Sequence, residues 1–370
     1  MVRRLRIAVA GLGRMGRRHA FHFLQNTPRA HLVAAFTPDE NEIKWARQYL
    51  EPFGVRLYTD YDQMIKAETT PLKDENSPGG LEAMVVATAT TVHAEEAIKA
   101  IEAGLHVLCE KPLSTSVEVS QQVLDCAKKH PHQKVLCGFS RRFDKSYRDA
   151  HARMDAGAIG RPAIFRSQTC DKLDPSGFFV AYAEFSGGIF VDCNIHDIDL
   201  ALWFFGEDTV PKSVMAVGIT AVQPELAKHG DVDNGVGVVE FWGGKIAYFY
   251  SSRMMAAGQH DATEIIGTEG KLSINQNPIG TLVDMWEPTG IRREIPADYY
   301  GRFREAFITE ANEFTECCLD DKPLPFKLKG AVTAVTIGCA LQESLRSGKK
   351  IFFDEIGRRI PEKDVAKAKL

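Results

Sequence analysis

Between Leu5 and about Cys137, short apolar runs alternate with amphipathic stretches, which predicts parallel strands joined by crossover helices. Strands are expected around Ile7 and over residues 32–36, 84–87, 106–109 and 134–138. Residues 69–80, rich in Pro, Gly, Asp, Glu and Lys, interrupt the alternation and read as an inserted surface loop. After Gly138 the texture changes. Strand-like runs at 163–169, 213–220, 235–241, 245–252, 262–267 and 272–275 are separated by short turns, spacing that predicts a mostly antiparallel sheet. Trp242-Gly243-Gly244-Lys245 reads as a hairpin turn. One helix is expected over 189–204, and 301–319 and 329–347 read as closing helices. The expected fold class is α/β, with a doubly wound parallel sheet in a first domain over 1–137. A second, α+β domain over 138–370 would end in the C-terminal helices.

Composition narrows the class without changing that picture. The 370 residues, 44% hydrophobic and 25% charged, are ordinary for a globular chain and enough for two cores. A net charge of -4 offers no general attraction to nucleic acid. The basic start Arg3-Arg4-Leu5-Arg6 runs straight into the first strand rather than into a signal-peptide apolar region, and no segment reads as a membrane span. The eight cysteines lack C-x-x-C spacing, and Cys317-Cys318 does not match a zinc pattern, so they are expected to be reduced thiols in a cytoplasmic protein with no metal site.

Candidate chemistry begins at Gly11-Leu12-Gly13-Arg14-Met15-Gly16, which follows the apolar run Ile7-Ala8-Val9-Ala10 and leads into a helix-compatible stretch. In that context Gly11 allows the tight turn, Gly13 leaves room for a pyrophosphate, and Gly16 lets helix and strand pack closely. The helix N-terminus then offers N–H groups to phosphate. Where a ribose-binding acid is expected, about 20 residues on, stands Thr37, followed by Pro38-Asp39-Glu40. No Arg or Lys adjoins it, so NAD and NADP both stay open.

Two further stretches carry charge. Glu110-Lys111-Pro112 closes an apolar strand, at the edge where α/β sheets bind ligands; Lys111 is placed to stabilise a reacting oxygen, with Glu110 orienting the loop. A surface Glu-Lys pair is the bland alternative. If 189–204 is one helix, Asp192, His196 and Asp199 fall at i, i+4 and i+7 on one face. Carboxylates then bracket an imidazole suited to taking a proton from an alcohol. His93 opens a helix after Thr88-Ala89-Thr90-Thr91, where capping, packing and cofactor contact are all open. Arg141, Arg142 and Asp144 are open between ligand contact and domain closure, with Arg142 the favoured contact.

Four ordered motifs together resemble the Gfo/Idh/MocA oxidoreductases over nearly the whole chain. They are Ala10 to Gly16, Ala103-Gly104 to Glu110-Lys111-Pro112, Gly138-Phe139-Ser140-Arg141-Arg142-Phe143-Asp144, and Gly187-Gly188 with Asp192, His196 and Asp197. The third and fourth look most like the inositol 2-dehydrogenase branch. The resemblance implies a Rossmann domain and a substrate domain on a large open antiparallel sheet, through which homodimers or homotetramers form. It also implies catalytic roles for Lys111, Asp192 and His196. Cofactor contacts would come from Gly11, Gly13, Arg14, Met15, Gly16, Thr37, Thr88, Thr90, His93, Glu110, Lys111 and Arg142. The implied activity is hydride exchange between NAD or NADP and a secondary alcohol or ketone of a polyol or sugar. Alternatives on the same scaffold are dihydrodiol or anhydro-sugar reduction, NAD-assisted glycoside cleavage, and dinucleotide sensing without catalysis. Thr37 departs from the family pattern, and residues 171–179 do not decode as a substrate pocket.

Overall fold

The computed structural model describes residues 3–74 and 77–367. Contacts divide the chain into two units, Met1–Phe143 with Glu305–Val332 and Asp144–Arg304 with Thr333–Leu370. The sequence expectation assigned everything after residue 137 to the second domain, whereas packing groups 305–332 with the first unit.

The first unit is built on six strands: β1 (Leu5–Ala10), β2 (Ala30–Phe36), β3 (Arg56–Tyr58), β4 (Ala83–Val86), β5 (His106–Glu110) and β6 (Val135–Gly138). All pairs are parallel and the order is β3-β2-β1-β4-β5-β6, a doubly wound arrangement. Every residue of β4 is buried, which is why this strand reads as a continuous apolar run: helices cover both faces of a parallel sheet. The crossovers are α1 (Arg14–Phe21), α2 (Glu40–Tyr49), α3 (Tyr61–Glu68), α4 (His93–Glu102) and α5 (Val117–Lys129). Asp39, Asp60 and Ser116 cap α2, α3 and α5 by accepting backbone N–H bonds. The five expected strands are present, and β3 is an addition.

In the second unit α6 (Lys145–Asp155) precedes the long strand β7 (Pro162–Lys172), and then come α7 (Phe178–Ser186), α8 (Ile189–Asp192) and α9 (Ile195–Phe205). The strands β8 (Pro211–Ile219), β9 (Asn234–Phe241), β10 (Lys245–Met255), β11 (His260–Gly267) and β12 (Lys271–Ile274) follow. After them come a separate hairpin, β13 (Asp284–Glu287) and β14 (Gly290–Arg293), then α10 (Tyr299–Leu319) and α11 (Lys329–Ser347), whose residues 305–319 and 329–332 belong to the first unit, and last β15 (Ile351–Phe352). The main sheet has the order β12-β11-β7-β10-β9-β8-β15 and is antiparallel except for the parallel pair β7 and β10. Gly243 and Gly244 both take positive φ (87° and 76°) in the three-residue turn Trp242-Gly243-Gly244 that joins β9 to β10. One face of the sheet packs under α9, which lies on β7 and β10. On the other face Met215, Val217, Ile219, Val236, Val238, Ile246 and Tyr248 are exposed, alternating with core residues such as Val239, Ala247 and Phe249.

Among the described residues no helix is long and apolar enough to cross a membrane. The cysteines are all free thiols, six of them buried.

Candidate functional site

The first unit gathers its candidate residues after the carboxyl ends of adjacent strands. The glycine loop follows β1, Thr37 follows β2, Thr88 and Thr90 follow β4, Lys111 follows β5, and Arg142 lies just past β6. Such an edge is where open α/β sheets bind ligands.

Two of the loop glycines are demanded by the protein itself. A Cβ on Gly11, whose φ is +84°, would stand 2.5 Å from the Thr88 nitrogen, and one on Gly16 would stand 1.8 Å from the Gly11 carbonyl oxygen. Gly13 differs. A Cβ there would meet only Glu42 Oε1 at 3.4 Å, so the missing side chain serves whatever approaches the loop from outside. Gly13 caps α1 without a side-chain bond, and the first turn, with exposed Arg14 and half-buried Met15, holds no acid. Its N–H groups and the positive end of the helix dipole are therefore suited to phosphate. The residues present fit a dinucleotide.

Around this loop the polar side chains are tied to one another. Thr37, 1% exposed, donates to Glu42 Oε2 at 2.5 Å, and the Leu12 N–H donates to the same oxygen at 3.1 Å. Thr88 donates to Glu96 at 2.6 Å; burial pushes the Glu96 carboxyl up to about 7, against the pull of that hydrogen bond. Thr90 is buried. His93 does not cap its helix: Val92 holds that place. The His93 ring stands 2.9 Å from the Pro112 carbonyl and 3.1 Å from the Thr88 carbonyl, and burial lowers its pKa, so the neutral ring donates to one carbonyl and packs against the other, between the lysine-bearing loop and the loop after β4.

Glu110 is buried at the end of β5. It accepts from His19 Nε2 at 2.7 Å and from the Lys111 N–H at 3.1 Å. Burial alone would raise its pKa, but the His19 hydrogen bond and the charges of His19 and Lys111 outweigh it and leave the carboxyl below its usual range. Sequence reasoning passed over His19 as one more helix residue. It also passed over Glu310 on α10, wholly buried, whose carboxyl is driven well up by burial and then by the Glu110 charge. Arg142 is buried with its guanidinium 4.4 Å from the Phe326 ring centre, and Arg141 is buried as well.

The second unit carries Asp192 and His196, and here the single helix expected over 189–204 is corrected. The Asn194 N–H bonds back five residues to the Ile189 carbonyl at 2.9 Å, so Cys193-Asn194 forms a break between α8 and α9. The break replaces the continuous i, i+4 spacing between Asp192 and His196 with two short helices whose phase is reset at Cys193-Asn194. Asn194 helps set the break by donating to Asp197 at 2.9 Å. Asp197, wholly buried, also accepts from Ser167 (2.5 Å) and Thr169 (2.6 Å), which anchors the start of α9 to β7. Asp199 is buried too.

His196, 5% exposed, meets a phenol: Nε2 lies 3.1 Å from Tyr299 Oη, with the two rings stacked at 5.2 Å. A hydroxyl can donate to a neutral Nε2 or accept from a protonated one, so this contact survives either state of the ring. Asp192 meets a guanidinium. Arg253, 1% exposed on β10, donates through Nη2 to Asp192 Oδ2 at 2.9 Å, and its Nη1 stands 3.6 Å from Asp231 Oδ2. Burial works against the Arg253 charge, but Asp192, Cys193 and Asp231 together raise its pKa. Asp231 in turn accepts from the Ile189 N–H at 2.8 Å, tying α8 to the same cation.

The undecoded stretch 171–179 contributes to this surround. Phe179 lies under the Arg253 guanidinium at 4.8 Å, and Asp171 accepts from Gln259 at 2.8 Å and from the Cys193 thiol at 3.8 Å. Arg253, Asp231 and Tyr299 were missed by sequence reasoning, because each reaches the site only through the tertiary fold. Among the described residues no group of three or more His, Cys, Asp or Glu side chains is arranged to hold a metal ion.

Comparison with known proteins agrees with both halves of this description. The family model described as "Oxidoreductase family, NAD-binding Rossmann fold" matches residues 5–139, and that of the "GFO/IDH/MocA C-terminal domain" matches residues 147–273. The chain is 33% identical over 361 residues to the scyllo-inositol 2-dehydrogenase (NAD(+)) of Bacillus subtilis, covering 96% of this chain and 98% of that one. Among solved structures it resembles myo-inositol 2-dehydrogenase from Lactobacillus plantarum, at 32% identity and TM-score 0.87, over 95% of this chain and all (100%) of the other. It likewise resembles scyllo-inositol dehydrogenase from Lactobacillus casei with bound NAD(H) and scyllo-inositol, at 30% identity and TM-score 0.86, covering 95% and 99%.

Proposed function

Because the chain belongs to the Gfo/Idh/MocA family of nicotinamide-dependent oxidoreductases acting on CH–OH groups, we propose that it oxidises a ring hydroxyl of an inositol-like polyol, or reduces the matching ketone. The observation that carries the substrate class is the likeness of 96% of the chain to a dehydrogenase named for scyllo-inositol.

In the oxidative direction His196 takes the hydroxyl proton, and the Tyr299 phenol steadies its ring in both protonation states. Asp192 positions the reacting groups, and Arg253 fixes its carboxylate at 2.9 Å. Lys111 stabilises the developing alkoxide, and Glu110 orients the loop that bears it. The nicotinamide, when bound, supplies the redox chemistry by accepting hydride from the carbinol carbon. Gly11, Gly13, Gly16, Arg14, Met15, Thr37, Thr88, Thr90, His93 and Arg142 shape or line the dinucleotide site.

The exposed apolar face of the second unit's sheet is proposed to pair with another copy of the chain, giving a homodimer or homotetramer; a contiguous patch of this kind marks an interface. A cytoplasmic location is part of the proposal, supported by the free thiols.

His196→Ala tests the catalytic assignment. Turnover should fall by about 10²–10⁴-fold while calorimetric NAD affinity holds; near-normal turnover would remove His196 from the reaction.

A further inference from the structure

We infer that Glu42 reads the adenosine ribose and makes the enzyme select NAD over NADP. The inference rests on the reading that the glycine loop holds a nicotinamide dinucleotide, and it goes beyond that reading by naming the residue that chooses between the two forms.

In dinucleotide-binding folds the ribose 2′-hydroxyl is met by an acid at the end of the second strand, about 20 residues after the loop. Here β2 ends at Phe36 and the next residue is Thr37, which has no charge to offer. The carboxylate arrives from five residues further on. Asp39 caps α2 by accepting from the Asn41 and Glu42 N–H groups, and this folds the chain back so that Glu42 stands in the first turn beside the loop. Its Oε2 accepts from the Leu12 N–H at 3.1 Å and from the Thr37 hydroxyl at 2.5 Å. Its Oε1, which makes no hydrogen bond among the described residues, is the one atom a Cβ on Gly13 would touch, at 3.4 Å. Thr37 and Glu42 together thus rebuild the missing acid: the threonine holds it, and the glutamate carries the charge against the loop between Leu12 and Gly13.

That placement has a direct chemical consequence. A half-buried carboxylate with a free oxygen accepts well from a ribose hydroxyl and repels a 2′-phosphate. Arg17, in the helix after the loop, is tied up: its Nε donates to the Leu12 carbonyl at 2.8 Å and its guanidinium stacks 4.8 Å from the Trp45 ring centre.

The test is equilibrium binding of NAD and of NADP to the full-length protein by calorimetry, without substrate, for wild type, Glu42→Gln and Glu42→Asp. Wild type should bind NAD more tightly than NADP. Glu42→Gln, which keeps the shape and removes the charge, should lower that preference by at least about tenfold. Glu42→Asp, with the charge drawn back by one methylene, should fall between. A wild-type preference for NADP would overturn the inference, and so would a ratio unchanged in either folded variant. Failure of wild type to bind either nucleotide would instead sink the dinucleotide reading beneath it.

Discussion

Arg253→Met removes the cation that stands between Asp192 and Asp231, and the structure sets the size of the effect. The guanidinium is 1% exposed, Asp231 0% and Asp192 17%, at separations of 2.9 and 3.6 Å from the two carboxylates. Deleting one partner of a buried ion pair leaves an uncompensated charge and costs about 3–5 kcal/mol. Methionine fills much of the volume but supplies no charge, so that range is expected in full near pH 8. At pH 5 the loss should be smaller. Without the cation, the folded protein holds a proton on the carboxylate pair more tightly than the unfolded chain does. The stability this adds is present at low pH and disappears as pH rises.

The assay is urea unfolding at both pH values, together with kcat and KM. Because Arg253 acts through Asp192, kcat should fall while NAD affinity holds. Arg253→Lys should recover only part of both losses, since one ammonium cannot reach two carboxylates as the guanidinium fork does. Unchanged unfolding midpoints at both pH values, with wild-type kcat in Arg253→Met, would show that Arg253 neither stabilises nor positions the two carboxylates.

Glu96→Gln should change the pH profile of stability. The folded carboxyl titrates at about 7 against 4.5 in the unfolded chain, so its stabilising proton is fully in place below 4.5 and lost as pH rises through 7. That difference corresponds to about 3 kcal/mol. Relative to wild type, the variant should gain up to that amount between pH 5 and pH 8 in urea titrations, and a constant offset would count against it. Gly13→Ala should fold with near-normal stability yet bind NAD more weakly, whereas Gly16→Ala, with its Cβ 1.8 Å from a carbonyl, should lose stability outright; equal melting losses in the two would contradict the division of labour drawn for the glycines. Val217→Asp together with Val238→Lys, on the exposed sheet face, should lower the mass seen by light scattering, and an unaltered mass would place the subunit contact elsewhere.

What was legible from sequence was whatever repeats locally. The buried strands β1, β4 and β5 announce themselves as apolar runs, and the glycine loop and Glu110-Lys111-Pro112 stand at their ends. β3 was not visible because three residues are too few to show a period. The break at Cys193-Asn194 was hidden because the apolar residues continue straight through it; the backbone bond to Ile189 leaves no mark on hydropathy. Partners that meet through the tertiary fold were out of reach as well. Arg253 lies 61 residues from Asp192, and Tyr299 lies 103 from His196. Glu42 was near in sequence but off the expected position, and only the fold of the Asp39 cap brings it to the loop. The grouping of 305–332 with the first unit follows from side chains such as Phe307 against His19 and Phe326 beneath Arg142, contacts no local pattern encodes.

The proposed reaction moves hydride between a nicotinamide and a polyol, using Lys111 and His196. Its most direct test is the reduced-nicotinamide absorbance of the purified protein with NAD or NADP across a panel of inositols, aldoses and small diols, run beside Lys111→Met and His196→Ala. An inositol should give a signal that both substitutions abolish. Silence across the panel from a protein that binds NAD, or wild-type rates in both variants, would contradict it.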